Sequence, residues 1–187
     1  MKLFFVDVET TGLDPRRHGI HQIAGILKCP PRPVRFDYRV RPFPRDEIDE
    51  SALEVSGIRR EELASYPDPA TVYQRLRGLL DQRVDRYNPR DKFFFVGYNT
   101  RFDYEFLRRF WEKNGDKYFG SYFWAPPLDL MTIAAFVLGA KRAELPDFKL
   151  PTVAKAIGLP LTKAHDAAQD VKAAVALYDW LAKQLRG

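Results

Sequence analysis

The chain of 187 residues holds a single cysteine, Cys29, so it forms no internal disulfide and no cluster of thiolate metal ligands. Such sparing use of cysteine fits a reducing, cytoplasmic compartment. No apolar run approaches the ~20 residues that a membrane helix needs, so no membrane span is expected. The apolar stretch near the start, Leu3 to Val6, is too short for the core of a signal peptide. Internal repeats and low-complexity tracts are also lacking, which argues against repeat arrays and disordered tails.

What is present describes a globular protein. Hydrophobic residues make up 45% and aromatic residues 14% of the chain, well above the range of disordered sequences. The length suits one domain, residues 1–187, with a full core. Thirty Lys and Arg against 25 Asp and Glu leave a formal charge of +5. A basic balance is compatible with a polyanionic partner such as nucleic acid, though many basic proteins bind none.

Strand patterns cover Lys2 to Val8, His21 to Lys28 and Val34 to Arg41, with Pro30, Pro31 and Pro33 breaking the second from the third. Helical patterns follow at Glu50 to Val55, ending near Gly57, and from about Pro69 to Arg83, where Val72, Leu76, Leu79 and Leu80 share a face. Lys92 to Val96 reads as a strand buried on both faces. Asn99 or Thr100 can cap a helix carrying Phe102, Phe106, Leu107 and Phe110. Pro127-Leu128-Asp129 leads into a helix reaching Leu138, Thr152 is placed to cap a short helix stopping at Gly158, and a last helix spans about Asp166 to Leu185. This order predicts an α/β fold, a mixed sheet with helices packed on it.

Phe4-Phe5-Val6-Asp7-Val8-Glu9-Thr10-Thr11-Gly12-Leu13 carries the clearest chemical signal. Asp7 and Glu9 are two apart on a strand, so their carboxylates share a face. Like charges at the end of a buried strand repel and cost desolvation, unless a divalent cation sits between them. Hard oxygen ligands of this kind suit Mg²⁺ or Mn²⁺. The bland alternative is an edge strand with two solvated acids. In the last helix Asp170 lies on the apolar stripe of Ala167, Ala174, Leu177 and Leu181, where a carboxylate should be paired or bind metal. Asp166 and Gln169 have the spacing of a capping box, and His165 just before them is a candidate general base, with a surface histidine as the alternative. Asp103 falls in a first helical turn directly after a buried strand, and could instead merely complement the helix dipole.

Taken together these residues resemble the DEDDh branch of the DnaQ-like 3′-to-5′ exonucleases, the group of polymerase proofreading exonucleases and ribonuclease T. The resemblance rests on Asp7-Val8-Glu9-Thr10-Thr11-Gly12, on Asn99 to Asp103 with Phe106 and Leu107, and on His165-Asp166-Ala167 with Asp170. Weaker echoes lie at Val55-Ser56-Gly57-Ile58, Leu128-Asp129-Leu130 and Lys149 to Gly158. The chain departs from its relatives at Tyr98 and at Ser56, where they often carry histidine.

The resemblance implies a ribonuclease H-like fold and hydrolysis of nucleic-acid 3′ ends to nucleoside 5′-monophosphates with two metal ions, Mg²⁺ or Mn²⁺. Two ions about 3.5–4 Å apart can both activate water and stabilise the leaving oxygen. Asp7 would bridge them, Glu9 and Asp170 would complete one site, Asp103 would serve the other, and His165 would take the proton from water. The backbone at Thr10 and Thr11, with Asn99, would hold the terminal nucleotide, and Leu13 and Phe106 would pack on the last bases, plain core packing being the alternative for both. The Thr-Thr-Gly-Leu form of the first motif resembles the proofreading type, so single-stranded DNA is the expected substrate. An RNA exonuclease like ribonuclease T, or a non-catalytic polymerase-associated binding module, are the competing readings. Proofreading subunits commonly dock through a C-terminal tail that this sequence does not show, which leaves action alone, self-association or docking through the nuclease surface as the expected modes.

Overall fold

The structure, a computed structural model, describes residues 1–159 and 167–185. Strands β1 (Leu3–Thr10), β2 (Ile20–Lys28) and β3 (Val34–Arg39) form an antiparallel meander. Strand β4 (Phe93–Gly97) joins β1 in parallel and β5 (Phe123–Asp129) joins β4 in parallel. The sheet is therefore mixed, in the order β3-β2-β1-β4-β5. Its helices are α1 (Glu50–Ser56), α2 (Arg60–Leu63), α3 (Pro69–Asp81), α4 (Thr100–Lys113), α5 (Leu130–Val137), α6 (Leu150–Ala156) and α7 (Ala167–Gln184). None of them is long and apolar enough to cross a membrane, among the described residues.

Local chemistry sets several of these boundaries. Helix α3 starts where the Asp68 carboxylate accepts the Ala70 N–H at 2.9 Å, with Pro69 in the first turn, where a missing N–H costs nothing. Helix α1 stops at Gly57, whose φ of 67° suits glycine. Both faces of the sheet are covered. Phe4, Val6 and Val8 pack with residues of α3 and α4, while Leu3 and Phe5 pack with α5, α6 and α7. The first layer is rich in rings: Phe95, Phe119 and Phe123 are mutually in contact, Phe4 packs on Phe95 and Phe123, and Trp111 and Tyr122 are buried beside them. Tyr118, from the same aromatic stretch of sequence, is exposed.

Some boundaries differ from those read off the sequence. Strand β1 continues through both acids to Thr10, because pairing with β2 persists that far. The four-residue α2 was not expected, being too short to show a period. Thr152 does not cap α6: Lys149 occupies that position, and the Thr152 hydroxyl donates instead to Asp147 Oδ1 at 2.5 Å. The Asp166 half of the expected capping box lies outside the described residues.

Candidate active site

Alternation along β1 decides which way its acids point. Leu3 and Phe5 face the α7 layer, so Asp7 and Glu9 face it too. Helix α7 buries Ala167, Val171, Ala174 and Leu177 against the sheet, which sets Asp170 one turn in from its start and over the end of β1. Ligand oxygens of Asp7, Glu9 and Asp170 consequently lie within 4.8 Å of one another, all three residues being half-buried. Carboxylates this close together would hold a divalent cation such as Mg²⁺, whose oxygen ligands stand roughly 3–4 Å apart. An all-carboxylate donor set fits a hard divalent cation and excludes soft, thiolate-seeking metals.

The fourth acid arrives from the other layer. Helix α4 follows β4 directly, and its first turn brings Asp103 back over β1, where Oδ1 accepts the Val8 N–H at 3.0 Å. Asp103 is 3% exposed. Burial pushes its carboxyl up to about 8, the Val8 N–H opposes this, and the charges of Glu9 and Asp129 add to it. A cation at the cluster would reverse that balance and favour the carboxylate.

Two further residues belong here that the sequence did not mark as site residues. Ser56, at the C-terminus of α1, donates its hydroxyl toward Glu9 Oε2 at 3.2 Å. The departure at this position therefore falls on a partner of one of the acids. Asp129, at the end of β5, accepts the Asn99 N–H at 3.1 Å and the Met131 N–H at 2.9 Å through the same oxygen. It thereby caps α5 and holds Asn99 at φ 60° and ψ 48°, the left-handed region that asparagine tolerates better than most residues. The sequence signals for both lay in the weaker family echoes around Ser56 and Asp129.

The loop after β1 is tied down from within. Its register against β2 slips between Glu9 and Thr10, so Thr10 pairs with Ile20 and His21 is passed over, a bulge of the kind that re-aims side chains beside active sites. The Thr10 hydroxyl donates to Gly12 O at 2.7 Å. That of Thr11 donates to Glu47 O at 2.6 Å and accepts the Gly19 N–H at 3.0 Å. Both hydroxyls are thus engaged internally. A Cβ on Gly12 would lie 2.2 Å from Cδ2 of the buried His18 ring, so glycine is needed here for room. His18 Nδ1 accepts the Asp14 N–H at 3.0 Å, and Nε2 stands 3.1 Å from Asp49 Oδ2. Leu13, at the tip, is 82% exposed, an available apolar surface. Phe106 is buried, its ring 4.8 Å from that of Phe102.

The structure thus brings Asp7, Glu9 and Asp170 together, hydrogen-bonds Asp103 to the same strand, and places Thr10, Thr11, Leu13 and Asn99 on the adjoining turns. His165 lies outside the described residues.

No curated protein matches the chain. Among solved structures it is similar to E. coli exonuclease I in complex with a dT13 oligonucleotide, at 23% identity and a TM-score of 0.78, over 99% of this chain and 42% of that one. It is similar to the same enzyme in complex with a dA16 oligonucleotide, at 23% identity and a TM-score of 0.77, over 98% and 41% of the two chains. A further structure of exonuclease I matches at 24% identity and a TM-score of 0.72, over 97% and 43%. The chain therefore spans about two fifths of the length of these neighbours, and the likeness establishes the ribonuclease H-like fold. The sequence model of the exonuclease family typified by ribonuclease T matches residues 4–178. With nearly all of its length inside that match, the chain belongs to this exonuclease family, a branch of the DnaQ-like superfamily.

Proposed function

We propose that the protein is a 3′-to-5′ exonuclease that hydrolyses single-stranded nucleic-acid ends, DNA in preference to RNA, and releases nucleoside 5′-monophosphates. The convergence of Asp7, Glu9 and Asp170 within 4.8 Å carries this reading. Two divalent ions, Mg²⁺ or Mn²⁺, would be held by these three carboxylates and Asp103, and would supply Lewis-acid activation of water and stabilisation of the leaving oxygen. The remaining work falls to the chain. Asp103, buried and anchored to Val8, keeps α4 docked on the end of β1. Ser56 orients the Glu9 carboxylate by hydrogen bonding. The backbone around Thr10 and Thr11, held in place by the internally bonded hydroxyls, would receive the terminal nucleotide, and Leu13 would lie against its base. His165, two residues before the start of α7, is the group we assign to take the proton from the attacking water.

Membership of the exonuclease family supports the polarity, and exonuclease I bound to dT13 and to dA16 supports the preference for single-stranded DNA. The test is a gel time course with 5′-labelled single strands of DNA and RNA of one sequence, in Mg²⁺, in Mn²⁺ and in EDTA. A metal-dependent ladder that shortens from the 3′ end, faster on DNA, is expected. Faster loss of RNA would transfer the assignment to the ribonuclease T type. Two intact strands in both metals would leave only a binding role.

A further inference from the structure

A cleft of about 470 Å³ opens between the β1–β2 loop and α4, the helix that carries Asp103. Its α4 wall is a stripe: Arg101, Glu105 and Arg108 recur at helical spacing, with Arg109 next to them. Arg16 faces them from the loop. From Arg101 to Arg109 the stripe runs about 12 Å along the helix. Asn99 and Phe106 also line this cleft, so it is continuous with positions assigned above to the terminal nucleotide.

The pairing within the cleft is unequal. Arg108 lies 3.1 Å from Glu105 and 3.7 Å from Glu112, and Arg109 lies 2.6 Å from Glu112. The Asp14 carboxylate accepts the backbone N–H of Arg16 at 2.9 Å. Arg16 and Arg101 are exposed, and neither guanidinium has a carboxylate partner among the described residues. Among the described residues, some exposed arginines elsewhere are answered by an acid, as Arg60 is by Glu50, and others, such as Arg32 and Arg90, are not; what sets Arg16 and Arg101 apart is their place in this cleft. Half-buried Phe102 adds an aromatic ring to the same cleft.

We propose that this cleft is the track for the incoming single strand, with Arg16 and Arg101 binding backbone phosphates upstream of the bond that is cut. A guanidinium fork matches a phosphate in two hydrogen bonds, and an aromatic ring accepts any base face, so the combination grips a strand without reading its sequence. The proposal rests on the nuclease reading for what happens at the end of the track, while binding in the track is measured without hydrolysis.

The test uses fluorescence anisotropy in EDTA with a 5′-labelled oligothymidylate long enough to fill the cleft, and with a labelled trinucleotide. The Arg16→Ala/Arg101→Ala double variant is compared with Arg32→Ala/Arg90→Ala, which removes the same charge from two exposed loops at the other end of the sheet. The cleft variant should bind the long strand about tenfold or more weakly, and its slope of log affinity against log salt should fall by roughly 1.4, or ~0.7 for each phosphate no longer held. The control should keep the wild-type slope. Equal behaviour of the two variants, in affinity and in slope, overturns the track. Hydrolysis of the p-nitrophenyl ester of thymidine 5′-monophosphate in Mn²⁺ reports on the acidic cluster separately. Ester turnover by the wild type with an unchanged slope in the cleft variant sinks the track alone. No ester turnover, with the slope change present, sinks the nuclease reading and leaves the track standing.

Discussion

Replacing Asp103 by asparagine should stabilise the metal-free protein while abolishing hydrolysis. The side chain is 3% exposed and its carboxyl is pushed from 3.8 up to about 8, chiefly by burial. Between those two values the folded protein binds a proton that the unfolded chain has released, so wild-type stability falls as pH rises from about 4 to about 8. At pH 7 the carboxyl has been held out of equilibrium over roughly three pH units, at about 1.4 kcal/mol each, a ceiling of about 4 kcal/mol. Asparagine keeps an oxygen for the Val8 N–H but buries an amide N–H₂, which returns about 1–3 kcal/mol of the gain. At about 2–4 °C per kcal/mol for a chain of this size, the melting temperature should rise by roughly 2–12 °C. Circular dichroism melts in EDTA should show a gain that grows from about pH 5 to about pH 8, and added Mg²⁺ should narrow it by restoring the wild-type carboxylate. A variant that melts below the wild type at both pH values, or that keeps full activity, refutes this account of Asp103.

Three further outcomes follow from the same geometry. Asp7→Ala should abolish metal-dependent hydrolysis with the fold intact, as judged by circular dichroism and the labelled-strand assay; full activity would remove Asp7 from the metal site. His165→Ala should slow single-turnover cleavage by ~10²–10⁴-fold while leaving strand affinity in EDTA near the wild-type value; unchanged turnover would remove this histidine from the mechanism. His21 is fully buried, neither ring nitrogen has a hydrogen-bond partner among the described residues, and burial, aided by the charge of Arg39, pulls its pKa down to about 4. Its contribution is present above about pH 6.5 and is lost as pH falls toward 4, up to about 3 kcal/mol. Urea midpoints of His21→Leu should lack this acid slope, and an identical slope in both proteins would refute it.

Asp7, Glu9 and Asp170 were readable because each breaks an apolar pattern that is otherwise regular: the strand before Thr10 and the stripe of α7. Carboxylates in such places need a reason, and a shared cation is one. Asp103 was readable from its position after a buried strand, but not its hydrogen bond to Val8, which spans 95 residues of sequence. Ser56 and Asp129 stayed hidden for a different reason. A serine at a helix end and an aspartate before a helix both look like ordinary capping residues, and only the sheet's ordering brings them to Glu9 and Asn99. The bounds of strand β5, though not its place in the order, were obscured by Pro126 and Pro127, which suit an edge strand paired on one side only. The Tyr73, Arg86, Asp116 and Tyr122 network joins α3, the loop before β4 and the turn after α4, a meeting that no local pattern encodes.

The close approach of Gly12 to the ring of His18 ties two positions into one inherited choice. Backbone conformation does not forbid a methyl group at residue 12, so volume alone does. Alanine there becomes admissible only once the imidazole gives way to something smaller. That exchange would strip Asp14 of its acceptor and Asp49 of its neighbour. Drift at either site is therefore arrested by the other, and a chimaera that grafts this turn from a related nuclease should fold well only when residues 12–18 travel as a block.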